Sequence, residues 1–398
     1  MSLVLRKSRL CSALLYVMAL AVCDTAREAE DAPSMASSED AVTLAGGETC
    51  RACSLAVDTI GPTIGGPDDP TGVFWGDAVR MSVEGDGKLW LAPATTDGLV
   101  VRYDGPGAPE VFGVRGDGPG EFKRISGISA EGDSVLWVWG DREIRFVRRD
   151  GMVFSSEKRN RLPMSVHAMV PIGPLRFAMI GWFGPPVCAN CPGAENHPPL
   201  HPLRIATFNE DGELLSHRPV EDIRVAPADP HAGDRGAVPV AASRFREGAF
   251  WTSAVDRLAL QLRDSVGAVR RVLRVDAAWF PAWEEGSALR PPARVAWIRE
   301  DDRGRVWMVV DGSIGALWEV SDPPKNSRPR DLSAEAMTDD RVSAVVVVDP
   351  DGEVVVLERV LPMRLVGPTG GALAVVGELP AGHQTVTPVR LSIRPAGG

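Results

Sequence analysis

The sequence predicts an all-β chain, a six-bladed β-propeller of four-stranded antiparallel blades. Three observations carry that expectation: a turn-plus-strand cassette recurs six times, a half-buried strand follows most cassettes, and no long helical periodicity interrupts residues 55–394. The cassettes read Asp86-Gly87-Lys88-Leu89-Trp90-Leu91, Gly132-Asp133-Ser134-Val135-Leu136-Trp137-Val138, Leu175-Arg176-Phe177-Ala178-Met179, Glu247-Gly248-Ala249-Phe250-Trp251, Arg303-Gly304-Arg305-Val306-Trp307-Met308 and Asp351-Gly352-Glu353-Val354-Val355-Val356. From Trp90 the landmark recurs after 47, 40, 74, 56 and 48 positions, at Trp137, Phe177, Trp251, Trp307 and Val355. Four short strands per drifting unit of this size is the pattern of a propeller.

Residues 1–23 carry Arg6, Lys7 and Arg9 ahead of an apolar run over residues 10–22, too short to span a bilayer, and read as a secretory signal. Leu20-Ala21-Val22-Cys23 is similar to the lipobox of bacterial lipoproteins, which makes Cys23 the lipidation candidate, with ordinary cleavage nearby as the alternative. The chain is therefore expected to be exported, periplasmic or held at the cell envelope, with membrane attachment through a lipid anchor only. Residues 24–49, rich in Ala, Ser, Glu and Asp and poor in bulky apolar groups, read as a disordered tether. The net charge of −10 loses three cations and no acid with the signal, which excludes nucleic acid as a partner.

Residues 50–394 are expected to be the propeller. After the cassettes come alternating strands such as Leu99-Val100-Val101-Arg102-Tyr103 and Ile144-Arg145-Phe146-Val147, with one face inward and one outward. Residues 184–202 and 219–239 are Pro-rich and read as insertions at blade edges. The circle has to close, because an open edge invites aggregation. The segment Leu55-Ala56-Val57-Asp58-Thr59-Ile60-Gly61 reads as an outer strand detached from the last blade, with Val389-Arg390-Leu391-Ser392-Ile393 as the rival.

Between the first two units lies Gly113-Val114-Arg115-Gly116-Asp117-Gly118-Pro119-Gly120-Glu121-Phe122. This run resembles the bacterial exported six-bladed β-propeller proteins of TolB-like and NHL-like architecture, over about residue 50 to the C-terminus. The physical content is a sharp turn: Gly116, Gly118 and Gly120 supply positive φ, Pro119 fixes one residue, and Phe122 is placed to wedge between sheets. Glu121 reads as a backbone acceptor within that turn, with a ligand or acid role as the alternative.

Two pairs at equal spacing, Cys50/Cys53 and Cys188/Cys191, allow three readings: disulfides, reactive thiols, or a zinc site joined by His197 and His201. Export favours disulfides, either within each pair or between them. Trp90, Trp137, Trp251 and Trp307 share one strand position and read as packing. Trp75, Trp182, Phe183, Trp279 and Trp283 fall outside that register and are candidates for a ligand-facing rim, as are Phe74 and Phe280.

Enzymatic readings have less support. Propellers of the gluconolactonase and paraoxonase type hold calcium through Glu, Asp and Asn, whereas this chain has five Asn, at 160, 190, 196, 209 and 326, none on an expected inner strand. Neither a Gly-x-Ser-x-Gly elbow nor a His-Glu-x-x-His motif occurs. The expected function is binding or scaffolding, with a protein, peptide or small molecule at one propeller face. One alternative is a calcium-dependent lactonase, hydrolase or lyase using Asp77, Glu84 or Glu300; a second is a zinc-stapled structural protein. No cofactor is expected beyond the zinc or calcium of these alternatives.

Overall fold

The computed structural model divides into residues 1–35 and residues 36–398, and the described strands lie in the second unit. It describes residues 41–395 except 66–78, 184–202, 220–240, 281–292, 314–340 and shorter pieces between them; residues 1–40 and 396–398 also lie outside the described residues. The chain enters through β1 (Val42–Leu44), β2 (Cys53–Thr59) and β3 (Ile64–Gly65). A first sheet follows from β4 (Val79–Val83), β5 (Leu89–Pro93), β6 (Val100–Tyr103) and β7 (Glu110–Phe112). The second holds β8 (Gly127–Glu131), β9 (Val135–Gly140), β10 (Glu143–Asp150) and β11 (Val153–Arg161). The third holds β12 (Met164–Gly173), β13 (Arg176–Phe183), β14 (Leu203–Phe208) and β15 (Leu214–Pro219). In the fourth, β16 (Ala249–Ser253), β17 (Ala259–Asp264) and β18 (Val269–Val275) are joined by β1. The fifth holds β19 (Ala293–Glu300), β20 (Val306–Ser313), β21 (Arg341–Asp349) and β22 (Val354–Leu361). The sixth combines β23 (Arg364–Val366), β24 (Leu373–Glu378) and β25 (Gln384–Pro395) with β2 and β3.

This is an all-β propeller arrangement with four-stranded antiparallel blades. The period-2 alternation of each second strand explains why the sheets stack face to face. On β5, Leu89 and Leu91 pack with Ala374 and Val386 of the sixth sheet, while Trp90 and Ala92 pack with Ile128, Leu136 and Val138 of the second. On β20, Val306, Met308 and Val310 face the fourth sheet and Trp307 and Val309 the sixth. Trp137 meets Phe177 edge to face with centroids 4.7 Å apart, and Phe177 stacks on Phe208, joining the second sheet to the third. Gly267 abuts the third sheet so closely that an added Cβ would lie 2.8 Å from Ile205 Cγ2. The four landmark Trp side chains all lie between sheets.

Three of the tight turns are held by aspartates. Asp301 Oδ1 accepts the N–H groups of Arg303 (2.9 Å) and Arg305 (3.1 Å), and Asp264 and Asp349 do the same in their own turns. Such side chains mimic a turn's own hydrogen bond, which is why Asp opens these three turns.

The segment expected to be a disordered tether, residues 24–49, is ordered at its C-terminal end. Val42–Leu44 forms β1, pairing parallel with Leu273–Val275, and Leu44 is 1% exposed in the core shared by the fourth and fifth sheets. Two β-branched residues followed by Leu supply the β-propensity and apolar area that the preceding acidic residues lack. Farther on, Thr49 N and Cys50 N donate to Val355 O and Val356 O of β22 at 2.9 and 3.2 Å. The two rivals for closure turn out to be partners: Leu55 to Thr59 pair with Ile393 to Val389, so β2 is the outer strand of the sixth sheet and the C-terminal segment lies just inside it.

If β1 holds the core as this packing requires, Leu44→Ala lowers stability by about 2–5 kcal/mol. Urea unfolding checks this; an unchanged midpoint would show that the segment is a tether after all.

Candidate functional site

The topology sorts the connections onto two ends. β4 touches β8 and β8 touches β12, so the first strand of each sheet is innermost. In the fourth sheet that role falls to residues 241–243, through the Ala242–Thr252 bridge and the bonds Ser243 N to Trp251 O and Ser253 N to Ala241 O. Because neighbouring strands are antiparallel, the end where innermost strands begin, the inlet end, also receives every second-to-third-strand connection and every passage to the next sheet. The tight Asp turns occupy the opposite end.

Residues 66–78, 184–202, 220–240, 281–292 and 314–340 all join strand ends at the inlet end. The expected site residues Trp75, Cys188, Cys191, His197, His201 and Trp283 belong to these segments and lie outside the described residues, as do Phe74, Asp77, Glu84, Pro119 and Cys23. Trp182 and Phe183 end β13 at the inlet end, paired through the backbone with Ser165 and Met164; their side chains are likewise outside the described part. Trp279 and Phe280 are half-buried against the core of the fourth and fifth sheets, in edge contact with centroids 6.0 Å apart.

Among the described residues, the buried Trp139 Nε1, Ser253 Oγ and Trp279 Nε1 at this end have no hydrogen-bond partner. Trp139 is 4% exposed and Ser253 fully buried. The Trp139 indole lies over Gly127, the first residue of β8, where any side chain would collide with the ring. Glycine there lets the indole reach across the innermost strand. A buried donor without an acceptor costs about 1–3 kcal/mol, so such groups call for water or a ligand.

Close by in register, Asp311 of β20 stands opposite Arg294 of β19, with Oδ2 3.6 Å from Arg294 Nη2, while Oδ1 is 3.9 Å from Arg364 Nε of β23. Asp311 and Arg364 have side chains only 6% and 12% exposed, so this trio ties the fifth sheet to the sixth at the inlet end.

The opposite end of β19 is a fastening. Trp251 Nε1 donates to Glu300 Oε2 (3.2 Å), Arg246 Nη1 donates to Asp301 O (2.6 Å), and Arg305 Nε and Trp307 Nε1 both donate to Asp301 Oδ2 (2.8 and 2.9 Å). Burial pushes the Glu300 carboxyl above the usual carboxylate range, despite the Trp251 N–H and the Arg246 charge, which act the other way. Burial acts in the same direction on Asp301, but the Trp307 and Arg305 side chains and the Arg303 and Arg305 backbone outweigh it and hold that carboxyl below its ordinary value. Two adjacent carboxyls thus differ in proton affinity because one accepts several strong donors and the other few.

Between the first two sheets, Glu121 Oε2 accepts the Gly118 N–H at 2.8 Å, and Phe122 is buried among Trp90, Ile125 and Ile128. Of the three glycines expected to have positive φ only Gly120 does (73°), joined by Gly113 (85°); Gly116 and Gly118 are needed instead for close approach, since each abuts the Glu121 carboxylate and has no room for a Cβ. Arg145 stacks over Phe122 at 5.1 Å and donates to Gly118 O at 2.9 Å. Cys50 and Cys53 sit side by side with Cα atoms 5.4 Å apart. Among the described residues, no three His, Cys, Asp or Glu side chains group as metal ligands, and no helix is long and apolar enough to cross a membrane.

The sequence reading passed over Trp139, Ser253, Arg294, Asp311 and Arg364. Only Trp139 had a legible signal, since Trp137-Val138-Trp139 places two rings on one strand face and only one can be the cassette landmark.

No family model matches the sequence, and no curated protein matches it. Among solved structures it is similar to a member of the DUF4221 family from Bacteroides vulgatus, with a TM-score of 0.56 and 11% identity over 86% of this chain and 99% of that one. It is also similar to a protein from Bacteroides fragilis NCTC 9343 described as exported, with a TM-score of 0.51 and 7% identity over 88% of this chain and 99% of that one. At these identities the likeness concerns the fold alone.

The adjacent carboxyls predict opposite pH responses. The folded pKa of Glu300 lies above its ordinary 4.5, so its stabilising contribution is present below that value and lost as pH rises through the folded pKa. For Asp301 the contribution is present above its ordinary 3.8 and lost as pH falls through the folded pKa. Near neutral pH, Glu300→Gln is expected to melt at or above the parent temperature and Asp301→Asn below it. Both differences shrink on acidification; parallel responses of the two variants in melts across pH would refute the assignment.

Proposed function

We propose that the chain is an exported six-bladed β-propeller that binds a ligand at the inlet end of its axis, as a binding or scaffolding module. Six sheets, with the sixth packed on the first, support the blade count. The amino-terminal signal supports export, and the fold-level likeness to a protein described as exported agrees with it. The observation that carries the site is the pair of buried groups without partners, Trp139 Nε1 and Ser253 Oγ, at the inlet ends of their strands. An indole N–H only donates, so the ligand presents an acceptor to Trp139: a carbonyl, a carboxylate or a sugar oxygen. Trp139 packs among Met169, Phe177 and Met179, and apolar surroundings with a few polar groups are the usual make-up of a binding site. The fastening role of Glu300, held by Trp251 and close to Arg246, favours binding over acid catalysis at the other end.

The test is fluorine NMR of 5-fluorotryptophan-labelled protein titrated with short peptides and oligosaccharides. The Trp139 and Trp279 resonances, assigned by Trp→Phe variants, are expected to shift while Trp90 and Trp307 stay fixed. Trp139→Phe, which keeps a ring and removes the N–H, weakens the ligand about tenfold. Shifts confined to other tryptophans, or none across the panel, would overturn the site.

A further inference from the structure

We propose that the Cys50–Cys53 pair is a redox clasp that fastens an N-terminal arm around the outer edges of three successive sheets. The arm, residues 42–65, touches each sheet by backbone hydrogen bonds. It adds β1 to the fourth sheet, donates from Thr49 and Cys50 to β22 of the fifth, and supplies β2 and β3 to the sixth. Sheet edges are rows of unpaired backbone groups, and here one segment covers three of them.

The pair stands at the step from the fifth sheet to the sixth. Cys50 N donates to Val356 O of β22, whereas Cys53 is paired with Pro395 of β25, so the two cysteines bridge two sheets. Two further bonds hold the step: Cys53 N donates to Cys50 O at 3.2 Å, and Arg359 Nη2, from β22, donates to Cys53 O at 3.2 Å. Both cysteines are half-buried, within reach of small thiols. Below the step, β2 is held to the sheet by its pairing and by Asp58, which takes Ser392 Oγ at 3.2 Å and the Arg394 guanidinium.

Closure removes one proton and one electron from each thiol. Both electrons pass to the disulfide of a thiol oxidase or of oxidised glutathione, which leaves as two thiols, while an S–S bond forms between Cys50 and Cys53. Dithiothreitol reverses this and departs as its cyclic disulfide. Where the chain meets an oxidant in the cell rests on the export reading; the chemistry of the clasp does not. A bond that closes so small a loop has little effect on the unfolded chain as a whole, so its action is local: it keeps the arm's step from fraying.

The experiment uses the full chain with C11S, C23S, C188S and C191S, oxidised by glutathione disulfide or reduced by dithiothreitol, with hydrogen exchange read by mass spectrometry. Maleimide is expected to label no thiol after oxidation and two after reduction. Exchange of the peptide covering residues 49–57 rises roughly tenfold on reduction, while that of β9 is unchanged. Adding C50S and C53S gives the fast rate under both conditions. Two labelled thiols after oxidation, equal exchange in both states, or acceleration everywhere in the propeller would each overturn the clasp.

Discussion

Every sheet in this protein has two apolar faces and no layer of its own to cover either. Because side chains alternate along a strand, β5 presents Leu89 and Leu91 to one neighbour and Trp90 to the other, and β20 does the same with Met308 and Trp307. A single blade would leave both faces in water, so stability belongs to the closed set of sheets rather than to any one of them. The junction between the sixth and first sheets, built on Ile64, Met81, Ala374 and Val386, is therefore where the chain has most to lose.

That junction explains the work done by the amino terminus. The last sheet takes its outer strand from β2, at the far end of the sequence, and this joins the first residues of the folded body to the last. The arm does more than close the sheet: Leu44 reaches the core on the edge of the fourth sheet, and Thr49 and Cys50 bond to the fifth. Between β2 and β3 the arm passes Pro388, which lacks an N–H; Ile60 N bonds to Pro388 O at 3.0 Å, and Gly61 leaves room for the proline ring.

The two ends of the axis are built differently. At the turn end, Trp251 with Glu300 and Arg246 with Asp301 O fasten the fourth sheet to the fifth, while Asp side chains anchor short turns within single sheets, as Asp301 does with Arg305. At the inlet end lie the strand ends that the longest connections join, and the buried Trp139 Nε1, Ser253 Oγ and Trp279 Nε1 are without partners among the described residues. Rigid short turns at one end and long connections at the other are the usual division of labour between scaffold and binding surface.

The sequence by itself determined the all-β class, the four-stranded blade and the packing role of the register tryptophans, because each rests on local spacing with period two along a strand. It misplaced one repeat, since the cassettes at Arg303 and Asp351 open β20 and β22 of the same fifth sheet and the sixth sheet carries none. It also marked β2 as a detached outer strand. It did not show that residues 42–44 join a sheet, since three residues carry too little pattern to stand out from an acidic segment. Nor did it show that Gly127 clears the way for Trp139, or that Asp311 stands between Arg294 and Arg364, because these meetings join positions 12 to 53 residues apart in the chain. Which end of the axis each loop occupies was decided only by the tertiary structure, where strand direction, invisible in any one strand's sequence, sends alternate connections to opposite ends.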